Sequence, residues 1–162
     1  MTKAVCSGSF DPVTNGHVDI FERAARVFDQ VIVGVFHNIR KEPFFSVEER
    51  VQLIREATAH IHNLTVTSFS GLLPEYLHEV GATVIVRGLR SVTDYEYEIT
   101  QAQTLKHIAP DIDTVFMLTR QEYAFVSSSC IREIFTFGGQ YGDLVPECVA
   151  RALAKRRQEM PL

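Results

Sequence analysis

The chain has few cysteines, and they follow no pairing pattern. Cys6, Cys130 and Cys148 are three in number, which is odd, and no CxxC spacing occurs. This usage is typical of reduced thiols in the cytoplasm rather than of a disulfide framework or a metal site. We therefore predict a cytoplasmic protein in which no residues ligate a metal.

Long apolar runs and an excess of positive charge are also missing. No apolar run approaches the roughly 18 residues of a membrane-spanning helix, and the first eight residues lack the apolar core of a signal peptide. The net charge is −4, whereas binding to nucleic acid usually requires a broad basic face. These absences predict no membrane and no nucleic-acid partner, but a few local cations could still hold a small anion.

The chain length and composition are those of a globular protein. At 162 residues, with 46% hydrophobic and 22% charged residues, the chain can bury roughly two-thirds of the surface that its unfolded form exposes. No internal repeat, low-complexity tract or long linker divides it. We predict one domain over residues 1–162, with a terminal helix over about 146–157 packed on it.

Apolar spacing alternates between strand and helix patterns along the chain. Strands are predicted over 3–6, 31–36, 64–69, 83–86 and 114–118. Helices are predicted over 18–28, 46–59, 72–80, 93–107, 127–137 and 146–157, with Ser46 and Glu49 forming a capping box at the second. This alternation predicts an α/β three-layer sandwich with a five-stranded parallel sheet.

Polar residues follow most of the predicted strands. The sets are Ser9, Phe10 and His17; His37, Arg40 and Lys41; Arg87 and Arg90; and Arg120, Tyr123 and Ser127 to Ser129. Because ligands bind beyond the carboxyl ends of parallel strands, we expect these residues to converge on one edge of the sheet. Their cations and hydroxyls, together with helix N-termini, suit an anionic ligand.

The stretch GSFDPVTNGH, from Gly8 to His17, lies where the first strand turns into a helix. Gly8 and Gly16 are expected to let a ligand approach the backbone, while free N–H groups at the helix start and the imidazole point at one phosphate. The stretch is neither a Walker loop nor a GxGxxG turn. An ordinary strand-to-helix turn with a histidine at the helix start remains the alternative.

Two further stretches have both a functional and an ordinary interpretation. The three serines of Ser127-Ser-Ser-Cys-Ile-Arg132 begin a helix after the fifth strand, so they could contact a ligand or simply cap that helix. Arg87 and Arg90 follow a buried strand, and guanidinium groups match phosphate oxygens. These arginines could instead pair with nearby carboxylates, namely Asp94, Glu96 and Glu98.

Taken together and in order, five segments resemble the bacterial phosphopantetheine adenylyltransferase family, part of the nucleotidyltransferase superfamily with TxGH and SSSxxR motifs. They are GSFDPVTNGHVDI, EERVQLIREATAH, VIVRGLRSVTDYEYE, VSSSCIRE and FGGQYGDLVPECV. The resemblance covers nearly the whole chain and implies a Rossmann-like sandwich. One departure is Cys6-Ser7, which stands where the family usually has Tyr-Pro or Cys-Pro.

The resemblance implies transfer of AMP from ATP to 4′-phosphopantetheine, giving 3′-dephospho-CoA and pyrophosphate in coenzyme A biosynthesis. It also implies assistance by Mg²⁺, inhibition by CoA, and a homohexamer built as a dimer of trimers. It assigns phosphopantetheine contacts to Ser9, Lys41, Leu73 and Arg87. It assigns ATP contacts to Ser9, Phe10, His17, Gly88, Leu89, Arg90, Glu98, Tyr123, Ala124, Phe125, Val126, Ser127, Ser128 and Ser129.

The expected mechanism is direct in-line attack on the α-phosphate without a covalent enzyme intermediate. His17, to which the resemblance assigns transition-state stabilisation, would offset developing charge together with Lys41 and Arg90. Mg²⁺ would be carried by ATP oxygens and water. Two alternatives stay open: a sister nucleotidyltransferase acting on nicotinate mononucleotide or glycerol 3-phosphate, and a regulator that binds ATP without turnover.

Overall fold

The computed structural model describes residues 1–38 and 42–159. Strands and helices alternate through these residues, with a single 3₁₀ turn at Gln121–Tyr123. The strands are β1 (Lys3–Gly8), β2 (Gln30–Phe36), β3 (Leu64–Phe69), β4 (Val84–Leu89) and β5 (Asp113–Leu118). The helices are α1 (Asn15–Val27), α2 (Val47–Ala57), α3 (Leu73–Glu79), α4 (Val92–Ile108), α5 (Ser128–Thr136) and α6 (Glu147–Glu159).

The five strands form one parallel sheet in the order β3-β2-β1-β4-β5. The strand order reverses between β1 and β4, which is where ligands bind in open parallel sheets. The ladder between these two strands ends at the pair Cys6 and Val86, after which β1 continues beside β2 and β4 beside β5. A crevice therefore opens between the last residues of β1 and those of β4.

Side chains alternate across the sheet and bury two apolar layers. In β1, Ala4 and Cys6 join the layer under α1, α2, α5 and α6, whereas Val5 joins the layer under α3 and α4. Val149 and Leu153 of α6 are fully buried in the first layer. Helices thus cover both faces of the sheet, and the predicted Rossmann-like α/β three-layer sandwich with five parallel strands is confirmed. None of the helices in the described ranges is both long and apolar enough to cross a membrane.

Among the element boundaries that differ from the sequence-based prediction, three lie next to the predicted site. Strand β4 runs on to Leu89 instead of ending at 86, because its last three residues pair with β5. Helix α1 begins at Asn15 rather than 18, because Thr14 caps it. Strand β1 runs on to Gly8 through its ladder with β2. Arg87 and Gly88 therefore belong to a strand and not, as predicted, to a loop.

Candidate active site

A cavity of about 310 Å³ lies at the carboxyl edge of the sheet, in the crevice between β1 and β4. Its walls come from four places: the end of β1, the first turn of α1, the end of β4 with the start of α4, and the N-terminus of α5. The predicted site residues that line it are Ser9, Phe10, His17, Arg87, Gly88, Arg90, Glu98, Val126, Ser127 and Ser128. Motifs far apart in the sequence are therefore brought together, as expected from the topology.

The other predicted contact residues are placed differently. Leu73 lines a second cavity of about 240 Å³, which shares Arg87 and Glu98 with the first. Leu89 is buried and Phe125 is exposed. Tyr123 is the last residue of the 3₁₀ turn and Ala124 follows it. Ser129 lies in the first turn of α5. Lys41 and its neighbour Arg40 lie outside the described residues.

His17 is a capping residue of α1, and its side chain also lines the first cavity. Its Nδ1 accepts a hydrogen bond from the backbone N–H of Thr14 at 3.0 Å, and its own backbone N–H faces the Thr14 hydroxyl, which completes a capping box. Because Nδ1 is the acceptor, the neutral imidazole carries its proton on Nε2. The ring nitrogen left for a ligand is therefore a hydrogen-bond donor.

The environment of His17 favours this neutral form. Burial, with a smaller contribution from the positive charge of Arg90, lowers the pKa of the imidazole to about 4. The ring packs edge-on against Phe10, with ring centroids 5.1 Å apart. At neutral pH the side chain is therefore an uncharged donor rather than an imidazolium, since its pKa lies well below the usual range.

The two glycines of the GSFDPVTNGH stretch line the first cavity, and both also lie against aromatic side chains. A Cβ added at Gly8 would lie 3.0 Å from Cζ of Phe10, and one at Gly16 would lie 3.3 Å from Cβ of Tyr123. Phe10 itself has a φ of 48°, a conformation that costs energy for a residue with a side chain. The absence of side chains at these glycines lets the two aromatic residues close over the start of α1.

Both arginines of the RGLR stretch are paired with carboxylates of α4. Arg87 binds Glu98 through Nε at 2.7 Å and Nη2 at 2.9 Å. Arg90 binds Asp94 through Nε at 3.0 Å and Nη2 at 3.2 Å, and donates from Nη1 to the carbonyl of Val126. The alternative of carboxylate pairing therefore holds in this structure, and the two arginines and two carboxylates balance in formal charge.

The three serines at the start of α5 have three different partners. Ser127 is the N-cap, accepting from the backbone N–H of Cys130. Ser128 donates to the carbonyl of Pro12 at 2.8 Å, tying α5 to the loop after β1. Ser129 accepts from Arg132. Capping thus explains one serine, while Ser128 joins the two motifs that border the cavity.

Asp11 and Arg50 position the loop after β1, although neither is among the predicted site residues. The Asp11 carboxylate accepts from the backbone N–H groups of Phe44 and Phe45, at 2.7 and 2.8 Å. Arg50 is 3% exposed and donates to the carbonyls of Ser9 and Phe45. The only sequence signal for these contacts was the Asp-Pro turn and a charged residue on the apolar side of a helix.

Ser7, which stands where the family usually has proline, contacts Arg87. Its carbonyl accepts from Nη1 of Arg87 at 2.9 Å, and its hydroxyl lies 3.2 Å from the same nitrogen. A proline at this position would offer only the carbonyl. The serine therefore adds an acceptor for Arg87.

This fold and the cavity at its strand-order reversal define a nucleotidyltransferase, and residues 5–134 match the family model described as cytidylyltransferase-like. Phosphopantetheine adenylyltransferase from Syntrophomonas wolfei is 49% identical over 96% of this chain and 97% of its own length. The enzyme of the same name from Shouchella clausii is 50% identical over 94% of this chain and 96% of its own. The chain belongs to the phosphopantetheine adenylyltransferase family, which confirms the resemblance.

A solved structure supports the fold independently. The bifunctional NMN adenylyltransferase/ADP ribose pyrophosphatase from Francisella tularensis superposes with a TM-score of 0.72 at 16% identity. The match covers 95% of this chain but only 49% of that one, so this chain spans about half of its length. At this identity the likeness concerns the fold alone.

Proposed function

We propose that this chain transfers AMP from ATP to 4′-phosphopantetheine, producing 3′-dephospho-CoA and pyrophosphate for coenzyme A biosynthesis. One observation carries the proposal: in a chain of this family, His17, Arg90 and Ser128 border a single cavity although they come from distant parts of the sequence. Such a cavity joins a neutral ring donor, a guanidinium and a helix N-terminus, all of which stabilise phosphate oxygens.

The second cavity supports an acceptor that has a phosphate and an extended apolar arm. It is lined by Leu72, Leu73 and Pro74 from the start of α3, and by Leu105 from α4. Arg87 stands where this cavity meets the first one. We assign the pantetheine arm to this cavity, its phosphate to Arg87 with Ser9 and Lys41, and ATP to the first cavity.

The proposed reaction is a direct in-line displacement. An oxygen of the acceptor phosphate attacks the α-phosphorus of ATP, and the bond to pyrophosphate breaks. A phosphate monoester has a second pKa of about 6 and is already mostly ionised at neutral pH, so no protein base is required. Both carboxylates that line the first cavity, Asp94 and Glu98, are bonded to arginines, which supports a reaction without one.

Within this reaction the protein offsets charge. His17 donates from Nε2–H to an oxygen of the reacting phosphate, and Arg90 acts on the departing pyrophosphate; Lys41 is proposed for the same task. Donors of this kind are effective because they are already oriented before charge develops. Phe10 and Val126 shield the cavity on two sides, since both are buried.

Magnesium would enter with ATP as part of the substrate. Within residues 1–38 and 42–159, no group of three or more His, Cys, Asp or Glu side chains is placed to hold a metal. Magnesium keeps several waters and is often bound through substrate phosphates. We therefore propose that ATP oxygens and water supply its ligands.

The remaining expectations of the family resemblance are part of the same proposal. We propose one domain over residues 1–162, a homohexamer arranged as a dimer of trimers, and feedback inhibition by CoA. A cytoplasmic location is supported by Cys6, Cys130 and Cys148, which are free thiols. Binding of nucleic acid or membranes is not expected, because the overall charge is −4 and the cavity is small.

A coupled assay of pyrophosphate release tests the function. ATP with Mg²⁺ is supplied with 4′-phosphopantetheine, nicotinate mononucleotide or glycerol 3-phosphate in parallel. We expect turnover with phosphopantetheine and at most a trace with the other two acceptors. Turnover with another acceptor would assign a sister nucleotidyltransferase activity, and ATP binding without any pyrophosphate release would favour a regulator. Inversion of configuration at a labelled α-phosphorus would support the single displacement, and retention would exclude it.

A further inference from the structure

The guanidinium group of Arg87 is almost fully occupied by partners within the described part of the chain. Of its five N–H donors, two bind Glu98, and the two on Nη1 face the carbonyl and hydroxyl of Ser7. One N–H on Nη2 remains. A phosphate that binds an arginine through two parallel hydrogen bonds needs two N–H groups, so it must displace one of these partners.

Arg90 differs in this respect. Asp94 takes Nε–H and one N–H of Nη2, and the carbonyl of Val126 takes one N–H of Nη1. Among the described contacts, one N–H on each terminal nitrogen is left. A second anion can therefore bind Arg90 while the Asp94 carboxylate stays in place. At Arg87, the Glu98 carboxylate already occupies the position that an anion would take.

Glu98 is also the partner of Arg87 that can be displaced. Ser7 is fixed in strand β1 by its register with Gly34, whereas Glu98 binds through a longer, rotatable side chain on α4. Both members of the ion pair line both cavities. Their side chains are 25% and 15% exposed, so the carboxylate can swing toward either opening.

We propose that Glu98 is an internal competitor for the anion position on Arg87 and thereby limits the affinity of the acceptor site for a phosphate monoester. A dianionic phosphate can replace the carboxylate on the guanidinium, whereas an acceptor without this group leaves the ion pair closed. Glu98 in this view acts on acceptor binding through Arg87, and only when the acceptor carries a phosphate. This inference rests on the proposed function, because it takes phosphopantetheine as the ligand of Arg87.

The test compares wild-type protein, Glu98→Gln and the control Glu96→Gln by isothermal titration with 4′-phosphopantetheine and with pantetheine. Glu96 is exposed and lies on the same helix, so its variant makes the same change in net charge. Without the competing charge, Glu98→Gln should bind phosphopantetheine about three- to tenfold more tightly, the size expected for a partly buried ion pair. Its affinity for pantetheine, and both affinities of Glu96→Gln, should match those of the wild type.

The outcomes separate this inference from the proposed function. If Glu98→Gln binds phosphopantetheine no better than the wild type, or more weakly, Glu98 only holds Arg87 in place and the competitor role is wrong, while wild-type turnover still supports the function. An equal gain for pantetheine would also overturn it, because the effect would not depend on the phosphate. If wild-type protein neither binds nor adenylylates phosphopantetheine, both the function and the inference fail.

Discussion

At the scale of single residues, the central feature is that the imidazole of His17 both caps helix α1 and lines the first cavity. The Nδ1 atom of His17 completes the capping box with Thr14, which leaves Nε2–H as the ring donor of a side chain that lines the first cavity. Thr14 is 1% exposed, so its hydroxyl and backbone N–H hold the ring without competition from water. The helix cap therefore fixes the tautomer of the proposed catalytic group.

Replacement of His17 should separate these two roles. We expect His17→Ala to lower kcat by about 10²- to 10³-fold, the usual loss for one oriented donor, and to lower the free energy of unfolding by about 1 kcal/mol through the lost cap. Glutamine is the natural alternative at this position of a capping box, so His17→Gln should restore stability but not kcat. Steady-state kinetics and urea unfolding measure both effects. Unchanged kcat with weaker ATP binding would contradict the proposed role.

The acid sensitivity of the fold should also depend on His17. Its pKa is about 4 in the folded chain, below the value of about 6.5 that is usual for histidine, so the unfolded chain binds more protons between these values. The stability that depends on this group is therefore fully present above about pH 6.5 and is lost as the pH falls toward 4, by an amount on the order of 3 kcal/mol. Urea unfolding from pH 7 to 4.5 should show a steeper loss for the wild type than for His17→Gln. Equal slopes, or an imidazole that titrates near 6.5 by NMR, would contradict the prediction.

The sequence predicted which residues meet but not how they are bonded. The spacing of strands and motifs placed His17, Arg87 and Arg90 at one edge, because the topology of a parallel sheet alone requires this. Which carboxylates reach the arginines depends on how α4 is rotated about its own axis. Asp94 and Glu98 are one helical turn apart and share a face, so both reach the arginines.

At the scale of elements, the loop after β1 is held by contacts that reach across the chain. The Asp11 side chain binds the backbone just before α2, and the Asp11 carbonyl accepts from Arg132 on α5. Three elements therefore meet at one residue of the GSFDPVTNGH stretch. Sequence reasoning identified Asp11 only as part of a turn, because a carboxylate that binds distant amides leaves no periodic signal.

Removal of the Asp11 carboxylate should loosen this junction. Asp11→Ala leaves the amides of Phe44 and Phe45 without their acceptor, and Phe45 is 2% exposed, so we expect a loss of about 2 kcal/mol in the free energy of unfolding. Asp11→Asn keeps one acceptor oxygen and should lose less. The control Asp143→Ala, at an exposed position, should change stability by less than about 0.5 kcal/mol. Equal unfolding midpoints in urea for Asp11→Ala and the control would contradict this account.

Element boundaries were harder to predict than element types, for a physical reason. Thr83 to Val86 has the β-branched pattern of a buried strand, but Arg87 and Gly88 do not, although the ladder with β5 includes them. Pairing with a neighbour extends a strand beyond its apolar segment. In the opposite case, Ser46 and Glu49 form the capping box that their spacing predicted, because both partners lie within one helical turn.

At the scale of the whole molecule, helix α4 exposes more apolar surface than its role in the sheet requires. Of its seventeen residues, only Leu105 is buried, while Val92 and Tyr97 are 75% and 64% exposed. Leu118, at the end of β5, and Phe125, after the 3₁₀ turn, are also exposed, by 72% and 64%. A contact between subunits is one way to cover such side chains, so α4 is the place to test the predicted assembly.

The predicted assembly can be tested through this surface. Light scattering during size-exclusion chromatography should give a mass about six times the 18.3 kDa of one chain. Val92 is the first residue of α4, where a carboxylate favours the helix dipole, so Val92→Asp should shift the mass downward without unfolding the chain. Thr93→Asp, an exposed polar neighbour, adds the same charge and should keep the wild-type mass. A wild-type mass of 18.3 kDa at micromolar concentration would contradict the hexamer, and equal masses for the two variants would place Val92 outside the interface.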